Sequence, residues 1–184
     1  VADDLGYNDI TLNGGGVAGD AVPTPNINSI ARNGIDFSGG YAGNATCSPS
    51  RAAMLTGRYP SRFGFEFTSV PVTFAKVIAG AKSKGLHPAI YHHEREAAMT
   101  PYESQGVPTS EISIAKLLKQ ADYHSIHLGK WHMGEDDDSK RPGFDHFVTH
   151  RGQGKYFDTE FRANNGERKV IPGYYTTVVT DMAL

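Results

Sequence analysis

A single cysteine, Cys47, stands in this chain of 184 residues. Its isolation excludes an intrachain disulfide framework and any multi-cysteine metal cluster, and leaves Cys47 as either a packing thiol or a chemical one. An excess of either charge is also lacking, since 18 Lys and Arg face 20 Asp and Glu for a formal net charge of −2. No general attraction to nucleic acid or an anionic membrane follows, so an anion has to be held by a local group of residues. No apolar run reaches the roughly 18 residues of a spanning helix, and no cationic start followed by an apolar stretch marks a secretory signal. The chain opens on Val1 rather than Met, so a leader or a first strand upstream stays open and the lack of a signal leaves the compartment undecided. What is there, 39% hydrophobic and 21% charged residues, is ordinary for a soluble globular domain and argues against disordered and collagen-like classes.

No repeat, low-complexity tract or linker divides the sequence, so residues 1–184 read as one unit without an internal boundary. Helical and extended segments alternate, which predicts an α/β layer architecture. Thr24-Pro25-Asn26 followed by Ile27, Ile30 and Ala31, with Gly34 beyond, predicts a helix with Pro at its first position. Ile35-Asp36-Phe37 reads as the strand after it. A second helix is expected from about Pro49 to Gly57, with Thr46 or Ser48 as its cap, which puts Cys47 at the helix's positive end. Two amphipathic helices packed on a sheet are expected from Phe74, Val77, Ile78 and Ala81 and, after Ser110, from Ile114, Leu117, Leu118 and Ala121. Tyr123-His124-Ser125-Ile126-His127-Leu128 has a strand's alternation, and Gly129-Lys130-Trp131-His132 leaves its carboxyl end, the edge at which open α/β sheets bind ligands. From Arg141 to Tyr175, Gly, Pro and aromatic residues predict irregular structure or a short hairpin. Thr180-Asp181-Met182-Ala183-Leu184 reads as the first turn of a helix.

Three polar clusters carry possible chemistry. Asp3-Asp4 at a strand end suits a hard cation such as Ca²⁺ or Mg²⁺, although a bare Asp-Asp pair is more often a solvated loop. Cys47 at a helix start, one turn before Arg51, is placed to be reactive, because the helix dipole and the guanidinium both favour an anion there. A lone cysteine is otherwise more often a buried small hydrophobe. Lys130 and His132, alternate residues of an extended segment, project to the same side and reach one anionic group, or else are a surface Lys beside a hydrogen-bonded His. His87, His92, His93 and Glu94 read as solvent-facing rather than as a second metal site. Glu135-Asp136-Asp137-Asp138 reads as a solvated acidic loop. Gly14-Gly15-Gly16 lacks the context of a phosphate-binding loop and reads as a turn.

The segment from Ala45 through Cys47-Ser48-Pro49-Ser50-Arg51 to Thr56-Gly57-Arg58 resembles the signature of type I sulfatases, whose core is Cys-x-Pro-Ser-Arg. Tyr123 to Gly134, with Gly129-Lys130-Trp131-His132 at its centre, is similar to the family's second signature, and Ala2-Asp3-Asp4-Leu5-Gly6 resembles its first metal-binding strand end. The three occur in the family's order, and Thr24-Pro25-Asn26 and Thr180-Asp181 extend the likeness over most of the chain. Asp122 departs from it, standing where the family usually has Gly. Residues 86–106 match no pattern and read as a variable loop that shapes substrate access.

The resemblance implies an alkaline-phosphatase-like fold, a mixed, largely parallel sheet flanked by helices. It implies that a maturation enzyme converts Cys47 to formylglycine, whose hydrate attacks a sulfate ester with one hydroxyl and expels sulfate with the other. By motif position Asp3, Asp4 and the modified Cys47 would be metal ligands, for Ca²⁺ with Mg²⁺ as the alternative. Arg51 would hold the hydrated side chain, Lys130 would clamp it and a sulfate oxygen, and His132 would be the base in the elimination. The family takes its other ligands and a leaving-group acid from sequence farther downstream, so this chain is expected to be an N-terminal portion, inactive alone. Sulfated small molecules or carbohydrates are the implied substrates, without nucleic acid or a membrane span, and export to a periplasmic, secreted or lysosome-like compartment fits the family. Two other readings stay open: a phosphonate or phosphodiester hydrolase of the same superfamily, and a truncated relative without catalysis.

Overall fold

The computed structural model describes residues 1–81, 87, 90–134 and 143–184. They form two compact units, Val1–Ala42 and Gly43–Leu184.

The first unit is organised by polar side chains. Its helix α1, Pro25–Asn33, starts at the predicted proline, and its one buried residue is Asn28. Asn28 Nδ2 donates to Thr11 Oγ1 at 2.7 Å, and Thr24 Oγ1 accepts from the Thr11 amide at 3.0 Å while donating to Asn28 Oδ1 at 3.0 Å. Thr24 thus occupies the cap position but spends its hydroxyl on this knot rather than on the helix's first amides. Two expectations fail in this unit. Residues 1–6 and 35–37 form no strand, and Ile35 and Phe37 are 78% and 76% exposed. A β-pattern becomes a strand only when a neighbouring backbone takes up its N–H and C=O groups, and the one pairing described in this unit is an isolated bridge between Val17 and Val22.

The second unit contains helices α2 (Cys47–Thr56), α3 (Val72–Gly80), α4 (Ile114–Gln120) and α5 (Tyr175–Ala183), and strands β1 (Ile126–Leu128), β2 (His146–Thr149), β3 (Phe157–Ala163) and β4 (Arg168–Tyr174). The sheet runs in the order β1-β2-β3-β4. β1 lies parallel to β2 with Ile126 opposite His146, and the β2–β3 and β3–β4 pairs are antiparallel. The mixed α/β architecture is therefore present, with its parallel part confined to β1–β2 among the described residues. The turn Asn164-Asn165-Gly166, with Gly166 at φ +81°, folds β3 back on β4, so the short hairpin anticipated here is a ladder of two strands with seven residues each. α5 begins at Tyr175, directly after β4, rather than near Thr180. Its β-branched Thr176, Thr177, Val178 and Val179 hide the helical start from a local reading.

The core joins α2 to the segment that leaves β1. Ala52, Phe65, Trp131, Met133 and Phe147 are buried together, with Leu55, Phe63, Val107 and Phe144 around them. His127 stacks on Phe147 with ring centroids 4.6 Å apart, and Trp131 meets Phe147 edge-on at 5.1 Å. The expectation of two helices packed on a sheet is met less well. α4 buries Ala115 and is capped by Ser113, whose hydroxyl accepts from the Lys116 amide at 3.2 Å, but no residue of α3 is buried. Among the described residues no helix is long and apolar enough to cross a membrane.

Candidate functional site

Helix α2 sets the first half of the site. Thr46 is extended at the cap position, Cys47 is the first helical residue, and Gly57 closes the helix in the left-handed conformation at φ +66°. Ser48, Pro49 and Ala52 are buried, so the first turn is held against the core while Cys47 stays half-buried beside it. Arg51 follows four residues later on the same face. Its Nη1 donates to the Lys130 carbonyl at 2.7 Å, tying α2 to the chain that leaves β1.

That chain sets the second half. The Gly129 amide donates to the Val148 carbonyl at 2.8 Å, and Gly129 then turns at φ +98°. Trp131 enters the core, and Lys130 and His132, 9% and 6% exposed, flank it. The extended alternation expected for Lys130 and His132 does not persist, because His132 is left-handed at φ +59°. A non-glycine residue is held there at a conformational cost that the surrounding packing must offset. His132 Nδ1 lies 3.3 Å from Cys47 Sγ. Lys130 Nζ donates to Gln153 Oε1 at 2.5 Å, and Gln153 Nε2 is 4.0 Å from the sulfur. Thr68 Oγ1 is 3.7 Å from the sulfur on another approach.

Cys47 thus meets His132 directly, Arg51 meets the Lys130 backbone, and Gln153 links the Lys130 ammonium to the sulfur. Gln153 and Thr68 were missed by sequence reasoning. Gln153 had one legible signal, a polar residue between two glycines, and both Gly152 and Gly154 have positive φ, +55° and +73°. Asp3 and Asp4 belong to the first unit, with Asp4 left-handed at φ +55°. Among the described residues no group of three or more His, Cys, Asp or Glu side chains is arranged to hold a metal. Two carboxylates and one cysteine also fall short of the roughly six or more donors that Ca²⁺ or Mg²⁺ takes. The present donor set therefore does not fit a complete metal site.

Outside this constellation, His92 Nδ1 pairs with Glu94 Oε1 at 2.9 Å on the surface. Glu94's carboxyl is held below its ordinary range by a backbone hydrogen bond of its own and then by His92. The acidic run 135–138 lies outside the described residues.

The Sulfatase family model matches residues 1–184. The chain is 39% identical over 134 residues to N-acetylgalactosamine-6-sulfatase of Homo sapiens, covering 72% of this chain and 20% of that protein. It is 34% identical over 152 residues to steryl-sulfatase of Homo sapiens, covering 83% and 21% respectively. The crystal structure of Ps i-CgsB superposes with a TM-score of 0.73 at 30% identity, over 100% of this chain and 39% of that one. The chain spans about a fifth of the length of the curated relatives it matches.

Proposed function

Since the chain belongs to the sulfatase family, we propose that it carries the nucleophile-bearing part of a sulfuric-ester hydrolase site, with Cys47 as the precursor of formylglycine. The observation that supports this is the contact of Cys47 Sγ with His132 Nδ1 at 3.3 Å, at the start of a helix whose Arg51 is bonded to the backbone of Lys130. The polar groups around the sulfur suit a hydrated aldehyde, whose two hydroxyls require both donors and acceptors. Formylglycine at position 47 supplies, as its hydrate, one hydroxyl to attack sulfur and a second to expel sulfate.

This chain's own residues do the rest. His132 accepts the proton of a hydroxyl on residue 47, a task suited to an imidazole near neutral pH. Lys130 brings a buried positive charge to the sulfuryl oxygens, and Arg51 adds a second cation while fixing α2 against the Lys130 backbone. Asp3 and Asp4 are proposed as two ligands of a Ca²⁺ site, with Mg²⁺ as the alternative and further donors required. A maturation enzyme that reads Cys47-Ser48-Pro49-Ser50-Arg51 must meet it before α2 forms, because Ser48 and Pro49 are buried and helical in the folded chain.

A sulfated carbohydrate is the proposed substrate class. One relative is named for the 6-sulfate of N-acetylgalactosamine, and Ps i-CgsB has been solved in complex with k-i-k-neocarrahexaose. The test is turnover of aryl sulfate, aryl phosphodiester and sulfated oligosaccharide by the full-length protein produced with a formylglycine-generating enzyme, the 184-residue portion alone being expected to stay inactive, alongside mass spectrometry of the peptide containing Cys47. Sulfate release that disappears in Cys47→Ala, with an aldehyde at position 47, is expected. Faster cleavage of the phosphodiester would move the reading to phosphorus chemistry, and an intact thiol in protein from its native host would make it a non-catalytic relative.

A further inference from the structure

We propose that Gln153 is a positioning residue for Lys130, a neutral amide that holds the ammonium at the Cys47 end of the site without cancelling its charge. The inference rests on the sulfatase reading above for its catalytic consequence, and on geometry alone for the contact itself. Lys130 Nζ has only protons to offer, so the Gln153 atom 2.5 Å away has to be the carbonyl oxygen. The amide nitrogen is then the end directed to Cys47 Sγ, at 4.0 Å. One planar group thereby touches both the cation and the reacting side chain.

The backbone gives Gln153 this reach. It sits between Gly152 and Gly154, both in the left-handed region, where a side-chain-bearing residue is strained. A Cβ on Gly154 would lie 2.7 Å from the His150 ring, so the loop is pressed onto that imidazole. His150 is buried, and its Nε2 lies 3.0 Å from the Tyr175 hydroxyl at the start of α5. The same hydroxyl would be 2.8 Å from a Cβ on Gly129, the residue before Lys130. His150 and Tyr175 therefore back both the loop that carries Gln153 and the turn that carries Lys130.

Charge explains why an amide serves here. A carboxylate would bind the ammonium more tightly, yet it would neutralise the cation that faces an anionic sulfate ester and place a negative charge beside residue 47. An alanine would leave the cation in place and lose its orientation. Gln153 is exposed, so Gln153→Ala, Gln153→Asn and Gln153→Glu should all fold, which thermal unfolding checks.

Two measurements test the proposal. In protein made without the maturation enzyme, the rate at which iodoacetamide alkylates Cys47 at one fixed pH is expected to fall about threefold or more in Gln153→Glu and not in Gln153→Asn. In matured full-length protein, kcat/KM for a sulfate ester is expected to fall about tenfold in Gln153→Ala and about a hundredfold in Gln153→Glu, with Gln153→Asn recovering part of the loss. The Glu variant should raise KM as well as lower kcat, a split that mere loosening of the loop would not produce. Equal alkylation rates in all variants overturn the proposal, as does a Glu variant no worse than Ala when the matured wild type is active. Should the matured full-length wild type hydrolyse no sulfate ester while the alkylation order holds, the sulfatase reading fails and the positioning contact stands.

Discussion

Helices α2 and α3 are nearly equal in length and lie in the same unit, but they are held in opposite ways. α2 mixes Cys, Ser, Pro, Arg and Ala with two larger apolar residues, and it buries Ser48, Pro49 and Ala52. α3 reads Val-Thr-Phe-Ala-Lys-Val-Ile-Ala-Gly, is far more apolar, and buries nothing, with Phe74 52% exposed. Apolarity therefore does not decide which helix is anchored. α2 is fixed because small residues let it approach the Trp131, Met133 and Phe147 cluster closely, and because Arg51 bonds to a backbone carbonyl of the facing segment. A helix that must present Cys47 to His132 within hydrogen-bonding distance needs that fixation, since misplacement by about 1 Å is costly for positioned chemistry.

The contrast can be broken most strongly at Phe147. Phe147→Ala removes the ring on which His127 stacks and Trp131 rests, and is expected to cost about 3–5 kcal/mol. Urea unfolding followed by the fluorescence of Trp131, the chain's one tryptophan, would report it, and amide exchange in α2 should rise toward that of α3. A cost as small as that of a surface change would show that the aromatic cluster does not anchor α2.

Acid should weaken the support of β1, the strand that leads into Gly129 and Lys130. Asp145 receives a hydrogen bond from Lys119 Nζ at 2.8 Å and another from the Ser125 amide at 2.9 Å. Its carboxyl is held below the ordinary aspartate range, first by Lys119 and then by the Ser125 amide. The folded chain thus binds this proton less readily than the unfolded chain does. The resulting stability is present above the ordinary carboxylate pKa of about 4 and is lost as pH falls through the lower, folded value. Solvent screens the Lys119 pair, so the effect is smaller than that of Phe147. Urea midpoints measured across that range should lose part of their pH dependence in Asp145→Asn, and an unchanged pH dependence would refute the assignment.

The smallest effect is expected at Phe74. Phe74→Ala in α3 should change stability by no more than about 0.5 kcal/mol, despite removing a larger side chain than most in α2. Urea unfolding checks this as well, and a loss like that of Phe147→Ala would mean that α3 is anchored after all.

Local signals were legible where they were chemically specific. Pro25 and Gly57 mark helix ends where those ends occur, α4 is capped by Ser113 rather than starting after Ser110, and the strand before Gly129-Lys130-Trp131-His132 was readable, though it pairs over Ile126–Leu128 alone. Ile35-Asp36-Phe37 was read as a strand because β-pattern is local while a ladder needs a partner. The start of α5 was hidden by β-branched residues, and the β3–β4 hairpin was legible only as one of two readings, because the Gly and aromatic residues of that run resemble loop composition. For the site, Cys47, Arg51, Lys130 and His132 stood out through their motifs. Thr68 and Gln153 did not, since neither belongs to a motif and each meets Cys47 from a distant part of the chain.

By itself the sequence determined that Cys47 opens a helix, that Arg51 shares its face, and that Lys130 and His132 follow a strand, because helix caps and side-chain periodicities act over a few residues. Tertiary structure alone decided that the Cys47 sulfur meets an imidazole 85 positions away and a glutamine 106 positions away. It also decided that His132 turns left-handed to make its contact and that α2 rather than the more apolar α3 is anchored. Those outcomes depend on which surfaces fit together in a close-packed interior, a property of the assembled fold that no local pattern encodes.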